Sequence, residues 1–210
     1  MIELFTTAFI TLAVIIDPPG CAPIFASLTK GTDAAHRRSM AIRSAAVAWC
    51  ILVFFALLGE PLLRKLGISL SAFRLAGGIM LFMIALDMVF ERRTERREER
   101  ARELEGTPEA EDISVFPMAI PMIAGPGSIA SIMLLSARAD GTVEGLTVLA
   151  AMTAVILLTL VALLLAGPLM KLIGARLEAM ITRILGVILA ALAAQFVLDG
   201  LERSLPGLAG

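Results

Sequence analysis

Six long stretches of this chain, each nearly free of charge, limit what it can fold into. They run from Leu4 to Leu28, Met40 to Leu58, Ile68 to Phe90, Ile113 to Ala137, Val143 to Ala166 and Leu177 to Leu198. Each is long enough to cross a bilayer, which takes a helix of about 20 mostly apolar residues. In lipid, every backbone N–H and C=O must be bonded within the protein, so only helices and closed barrels span a membrane. Barrel strands would alternate apolar and polar residues over about 10 positions, and these runs do not alternate. The expected fold is an all-α membrane protein with six transmembrane helices.

Composition agrees. Apolar residues make up 58% of the 210, charged residues 18%, and the mean hydropathy is +0.89. Soluble domains carry about 45–50% apolar and about 25% charged residues. This argues against a soluble enzyme, a nucleic-acid binder and a disordered chain. The first run has no basic leader (its first charge is Glu3) and is too long for a signal peptide, so it is expected to stay as the first helix. Cys21 and Cys50 both fall inside runs, which implies no disulfide framework. His36, the only histidine, sits in a polar loop beside Arg37 and Arg38, so no metal-binding spacing exists and no cofactor is expected.

The net charge of −1 hides an uneven distribution. Fifteen charged residues, six Arg and nine acidic, lie between Glu91 and Asp112. Opposite pairs at helical spacing, such as Arg92 with Glu95 and Glu98 with Arg102, read as a solvated, partly helical connection. Counted over alternate loops, 13 Lys and Arg fall on one side and 5 on the other. The basic side is expected to face the cytoplasm, which puts both termini outside.

Landmarks in the first half of the chain recur in the second at one fixed offset. Pro19-Gly20 matches Pro126-Gly127, Pro61 matches Pro168, and Gly67 matches Gly174; Arg74 and Arg183 also correspond, as if two positions had been inserted. Each half holds three spans, an odd number, so the second half enters the membrane from the opposite face. That is the inverted-topology repeat of many secondary transporters. Residues 1–90 form the first three-helix repeat, 91–112 the charged connection and 113–210 the second repeat, all in one structural domain.

Two of the six helices cannot be continuous. Asp17-Pro18-Pro19-Gly20-Cys21-Ala22-Pro23 places three prolines in six positions, and proline removes an amide donor and clashes with the preceding turn. Pro117, Pro121 and Ala124-Gly125-Pro126-Gly127-Ser128 interrupt the fourth run in the same way. Helices 1 and 4 are therefore expected to be broken or re-entrant. Broken helices at matching places of two halves point to a transporter binding site; the simpler alternative is a pair of packing kinks. The candidate substrate-binding residues are Asp17, Pro19, Gly20, Cys21, Gly125, Pro126, Gly127 and Ser128. An intramembrane carboxylate is costly and suggests function, so Asp17 could hold a substrate ammonium, a proton or a coupling cation such as sodium. Equally, it could cap the half-helix that follows.

Other polar residues carry weaker expectations. Arg43 could reach Asp87. Arg74 and Arg183, near helix ends, are expected to snorkel to the interface. Thr7 with Thr11, and Ser128 with Ser131, share helix faces, yet such hydroxyls commonly bond their own helix. Gln195 could join two helices. Trp49, mid-span, reads as a packing residue. Ala72, Ala76 and Gly77, like Gly186, Ala190 and Ala194, would let helices 3 and 6 pack closely, within the chain or in a homo-oligomer.

Ile16-Asp17-Pro18-Pro19-Gly20 with Pro23-Ile24-Phe25 resembles the first motif of the MarC family of bacterial inner-membrane proteins. Phe73-Arg74-Leu75-Ala76-Gly77-Gly78-Ile79 leading to Ala85-Leu86-Asp87-Met88 is similar to the second. Pro117-Met118-Ala119-Ile120-Pro121 through Ala124-Gly125-Pro126-Gly127 is similar to the third. One departure stands at Cys21, where the family often has Asn, which removes an amide able to bond a substrate. The resemblance implies six transmembrane helices and a place in the neutral amino acid transporter group. The expected activity is then secondary transport of small neutral amino acids or similar metabolites, not enzymatic catalysis. The rival reading is a non-transporting membrane scaffold or stress-related subunit.

Overall fold

In the computed structural model, the described residues are 1–90, 99 and 112–204. Every element among them is helical. They are α1 (Ile2–Ile16), α2 (Pro18–Leu28), α3 (Ala34–Lys65), α4 (Leu70–Val89), a π segment (Ser114–Ile123), α5 (Pro126–Ser136), α6 (Gly141–Leu164) and α7 (Ala166–Ser204). Five helical stretches are long and apolar enough to cross a membrane. A sixth crossing results if the π segment and α5, bent by 56° at their junction, count as one span. Apart from Glu99 and Asp112, the Glu91–Asp112 connection lies outside the described residues.

Local chemistry sets the ends of these elements. Asp33 caps α3 by accepting from the amides of Ala35 and His36 at 2.8 and 3.2 Å. Those two amides hold its carboxyl below the usual carboxylate range. His36 thus belongs to the exposed first turn of α3 rather than to the loop. Ser69 caps α4 through the amide of Ala72 at 3.1 Å. The paired glycine landmarks adopt matching conformations: Gly67, after α3, has φ 71°, and Gly174, which breaks α7, has φ 69°. α3 runs past Leu58 and through Pro61 to Lys65, further than its apolar run, so charged Glu60, Arg64 and Lys65 form its last turns.

The first crossing, α1 with α2, occupies the middle of the molecule. In its most apolar window 72% of residues are buried, against 28–39% for α3, α4, α6 and α7. Around it, α1 packs on α6 as the π segment packs on α3; α2 packs on α6 as α5 packs on α3; and α2 packs on α7 as α5 packs on α4. The outer helices present Phe54, Leu57, Phe82, Met83, Leu157, Leu158 and Val187 at their surface. In water such faces would cost free energy, whereas in a bilayer they meet acyl chains.

The closest helix pair is α4 against α7. A Cβ on Gly78 would lie 2.9 Å from the Val197 amide nitrogen, and one on Gly200 2.9 Å from that of Leu75. Gly186 would meet Met88 Cβ at 2.9 Å. The contact face of α7 is therefore Gly186, Ala193 and Gly200, at heptad spacing, opposite Gly78. Of the small residues expected to pack, Gly186 lies in this contact, whereas Ala72, Ala76 and Ala194 are exposed and Gly78, Ala193 and Gly200 take their place. The contact lies within one chain.

Three further expectations are corrected. The ion-pair partner of Arg43 is Asp112, at 2.7 Å, rather than Asp87. Gln195 bonds Asp199 one turn along its own helix at 2.7 Å rather than a neighbouring helix. Trp49 is 39% exposed and donates its indole N–H to Thr153 Oγ1 at 3.0 Å, so it ties α3 to α6 at the surface instead of filling the core.

Candidate functional site at the two helix breaks

Asp17 separates α1 from α2 and is the only non-glycine with positive φ among the described residues, at φ 59° and ψ 66°. An aspartate tolerates this left-handed conformation better than most residues, because its short side chain bonds locally. Pro18 then occupies the first helical position of α2, where its missing amide would have been unbonded anyway. Asp17 accepts from the amide of Gly20 at 3.2 Å and is 1% exposed. A Cβ on Gly20 would fall 2.1 Å from Asp17 Oδ2, so only glycine admits the carboxylate there. The capping geometry is thus present, and the carboxylate is buried near the centre of the bundle.

The second break is built differently. Phe116 and Ile120, each before a proline, are extended, as sterics demand of such residues. Both following peptide bonds are cis. Across each of them the chain closes a wide turn, the Met118 amide bonding the Ile113 carbonyl at 3.2 Å and the Ala124 amide the Ala119 carbonyl at 2.8 Å. Ala124 and Gly125 turn the chain into α5, which begins at Pro126. A Cβ on Gly125 would sit 2.3 Å from the Pro121 carbonyl oxygen. No side chain caps α5, so Asp17 has no counterpart in the second half.

Beside that difference stands a close likeness. Cys21 Sγ donates to the Ile16 carbonyl at 3.5 Å, and Ser128 Oγ donates to the Ile123 carbonyl at 2.8 Å. Both bonds reach back across the break by the same number of positions, and the two pairs stand at the offset of the proline landmarks. α2 and α5 each contain 11 residues and each begin with proline.

The two breaks meet in space. A Cβ on Gly127 would lie 3.4 Å from Ile15 Cγ2 and 2.8 Å from Ile84 Cδ1, so α1, α4 and α5 converge there. Of the eight predicted residues, Asp17, Gly20, Cys21, Gly125, Gly127 and Ser128 are buried, Pro19 is half-buried and Pro126 is exposed. The breaks are closed and tightly packed. Cavities lie instead toward the two ends of the bundle. One of about 490 Å³ separates the end of α3, with Glu60 and Arg64, from the end of α5, with Met133 and Ser136. Another of about 200 Å³ lies between Phe25 of α2, Arg37 and Arg38 of α3, and Leu163 and Leu164 of α6. Ala56 and Leu57, which line the first, are separated from Leu163 and Leu164, which line the second, by the same offset as the proline landmarks.

Arg74 also departs from its sequence expectation. It does not snorkel; it is 1% exposed, enclosed where α4 meets α7. Its neighbour Leu75 abuts Gly200, which brings the two backbones together beside it. Only the position of Arg74 inside a run of small and apolar residues hinted at burial. Ser131 Oγ, one turn beyond Ser128, is likewise buried, with no hydrogen-bond partner among the described residues.

A bundle of apolar helices around a central broken span defines an integral membrane protein. Its sequence matches the description "MarC family integral membrane protein" over residues 2–205, and the chain belongs to that family. It is 35% identical to the UPF0056 membrane protein MJ1677 of Methanocaldococcus jannaschii, over 97% of this chain and 98% of that one. It is 34% identical to the UPF0056 membrane protein YvbG of Bacillus subtilis, with 98% of each chain covered. The UPF0056 inner membrane protein YhgN of Escherichia coli is 31% identical over 96% of this chain and 98% of its own. No solved structure matches.

Proposed function

We propose that this protein is a secondary transporter that moves small neutral amino acids, or similar small metabolites, across a bacterial inner membrane. Substrate binds between the two breaks. The observation that carries this reading is the pair of breaks itself: two half-helices of equal length, each begun by proline, meet inside the bundle beside one buried carboxylate. Broken backbone at membrane depth is tolerated where protein or a water-filled cavity encloses it. The uncapped start of α5 presents its first amides and the positive end of its dipole, which suit a carboxylate. Asp17 suits the ammonium, or the proton or sodium ion that drives transport.

In this reading the two halves are inverted repeats. Support comes from the corresponding helix pairings, the left-handed Gly67 and Gly174, and the matching Cys21 and Ser128 bonds. The two end cavities serve as vestibules on opposite faces, and the packed breaks represent a closed state between them. The Lys and Arg distribution puts both termini outside the cytoplasm.

The test is flux. Purified protein in liposomes, given labelled glycine, alanine and serine with and without proton or sodium gradients, should accumulate at least one of them. Absence of flux over a wide panel of small metabolites, from protein shown to be folded, would refute the proposal.

A further inference from the structure

Arg74 has a guanidinium whose three nitrogens are all buried without a hydrogen-bond partner among the described residues. A guanidinium offers five donors and accepts nothing, and a buried charge without a partner is among the costliest arrangements a protein can hold. Neither of the two cavities described above is lined by it. Among the described residues, Asp199 stands near enough to attract it, while Arg138 and Arg203 repel it. Asp199 is the obvious partner by register, since Gly200 rests against Leu75 across the α4–α7 contact. Yet both oxygens of Asp199 are engaged elsewhere. Oδ2 is held by Arg138, and Oδ1 accepts from Gln195 at 2.7 Å. Arg138 is further held over the Phe196 ring, 5.3 Å from its centroid.

We infer that Asp199 is a shared counter-ion which moves between Arg138 and Arg74, and that this exchange latches and releases α5. With Asp199 on Arg138, just beyond the end of α5, the half-helix is tied to α7 and Arg74 stands unpaired. With Asp199 on Arg74, the tie runs between α4 and α7, and the end of α5 is free. Because α5 begins at the Ala124–Gly125 break and has no side-chain cap, freeing its far end lets it swing about that break. Each state satisfies one arginine and not the other, which gives the bistability that a switching element needs. The latch does not depend on what, if anything, the protein transports.

The experiment reads exposure of α5 without a substrate. Ser131→Cys, a near-isosteric change at a buried position of α5, serves as the reporter in Cys50→Ala protein held in nanodiscs. The same protein retaining Ser131 is the blank for Cys21, and maleimide labelling is followed in time. Arg138→Gln should speed labelling about tenfold by leaving Asp199 to Arg74, and Arg74→Gln should slow it by leaving Asp199 to Arg138. Asp199→Asn, which removes the tie, should speed it as well. Arg74→Lys, which keeps a cation, should label like the parent and guards against a folding defect. Equal effects of Arg74→Gln and Arg138→Gln, or no effect of either, would overturn the latch. So would labelling governed by added acetate and indifferent to Asp199→Asn, which would make Arg74 the receptor of an external anion.

Discussion

Asp17 combines two properties that can be separated by substitution: it caps α2, and it places a negative charge inside the bundle. Asparagine caps helices as well as aspartate and tolerates the left-handed region. Asp17→Asn should therefore leave thermal stability within about 0.5 kcal/mol while abolishing the charge. Asp17→Ala should cost about 1 kcal/mol more through the lost cap, read as a lower melting temperature in detergent. Gly20→Ala should displace the carboxylate, because the new methyl would occupy the space of Asp17 Oδ2. It should resemble Asp17→Ala in stability and in function. Cys21→Ser should preserve the bond to the Ile16 carbonyl, whereas Cys21→Val should lose it and lower the melting temperature. The breaks were legible in the sequence because proline acts on its own residue and the one before it. The fate of Arg74 was not, because it depends on α7 arriving from the far end of the chain to close over it.

At the scale of elements, apolar runs located the spans but not their ends. α3 continues through Pro61 because its last turns leave the apolar region and can bear charge; the π segment takes the place of a helix because Pro117 and Pro121 force Phe116 and Ile120 to be extended. The contact between α4 and α7 rests on small residues at heptad spacing, so Gly200→Leu should overpack it and cost about 1–3 kcal/mol, seen as a lower melting temperature. A substitution at exposed Ala194 should leave it unchanged. Asp112 offers a test by pH. The Ser114 hydroxyl, then its amide, and the Arg43 guanidinium hold its carboxyl below the usual value of 3.8. A carboxyl lowered in the folded state adds stability that is complete above its unfolded pKa and fades as pH falls through the folded one. Melting temperature should thus fall more steeply below about pH 4 in the parent than in Asp112→Asn.

For the whole molecule, the sequence implied two halves of three spans, which the function proposed above builds on. What it did not reveal is which span lies in the centre. All six runs are apolar, so composition cannot tell a helix facing lipid from one facing protein, and burial of α1 and α2 comes only from packing. Orientation is a prediction from loop charge. A membrane-impermeant thiol reagent should label Glu202→Cys on intact cells and His36→Cys only after permeabilisation, in protein lacking Cys50. The reverse pattern would invert the topology.

In the proposed transport function, the buried carboxylate at the first break acts on the solute. Counterflow of labelled alanine, glycine or serine in liposomes, compared between the parent and Asp17→Asn matched for melting temperature, tests it most directly. The parent should exchange, and the variant should lose exchange by more than about tenfold, as expected when an interaction with a buried charge is removed. Equal exchange by both proteins, or none by the folded parent, would contradict it.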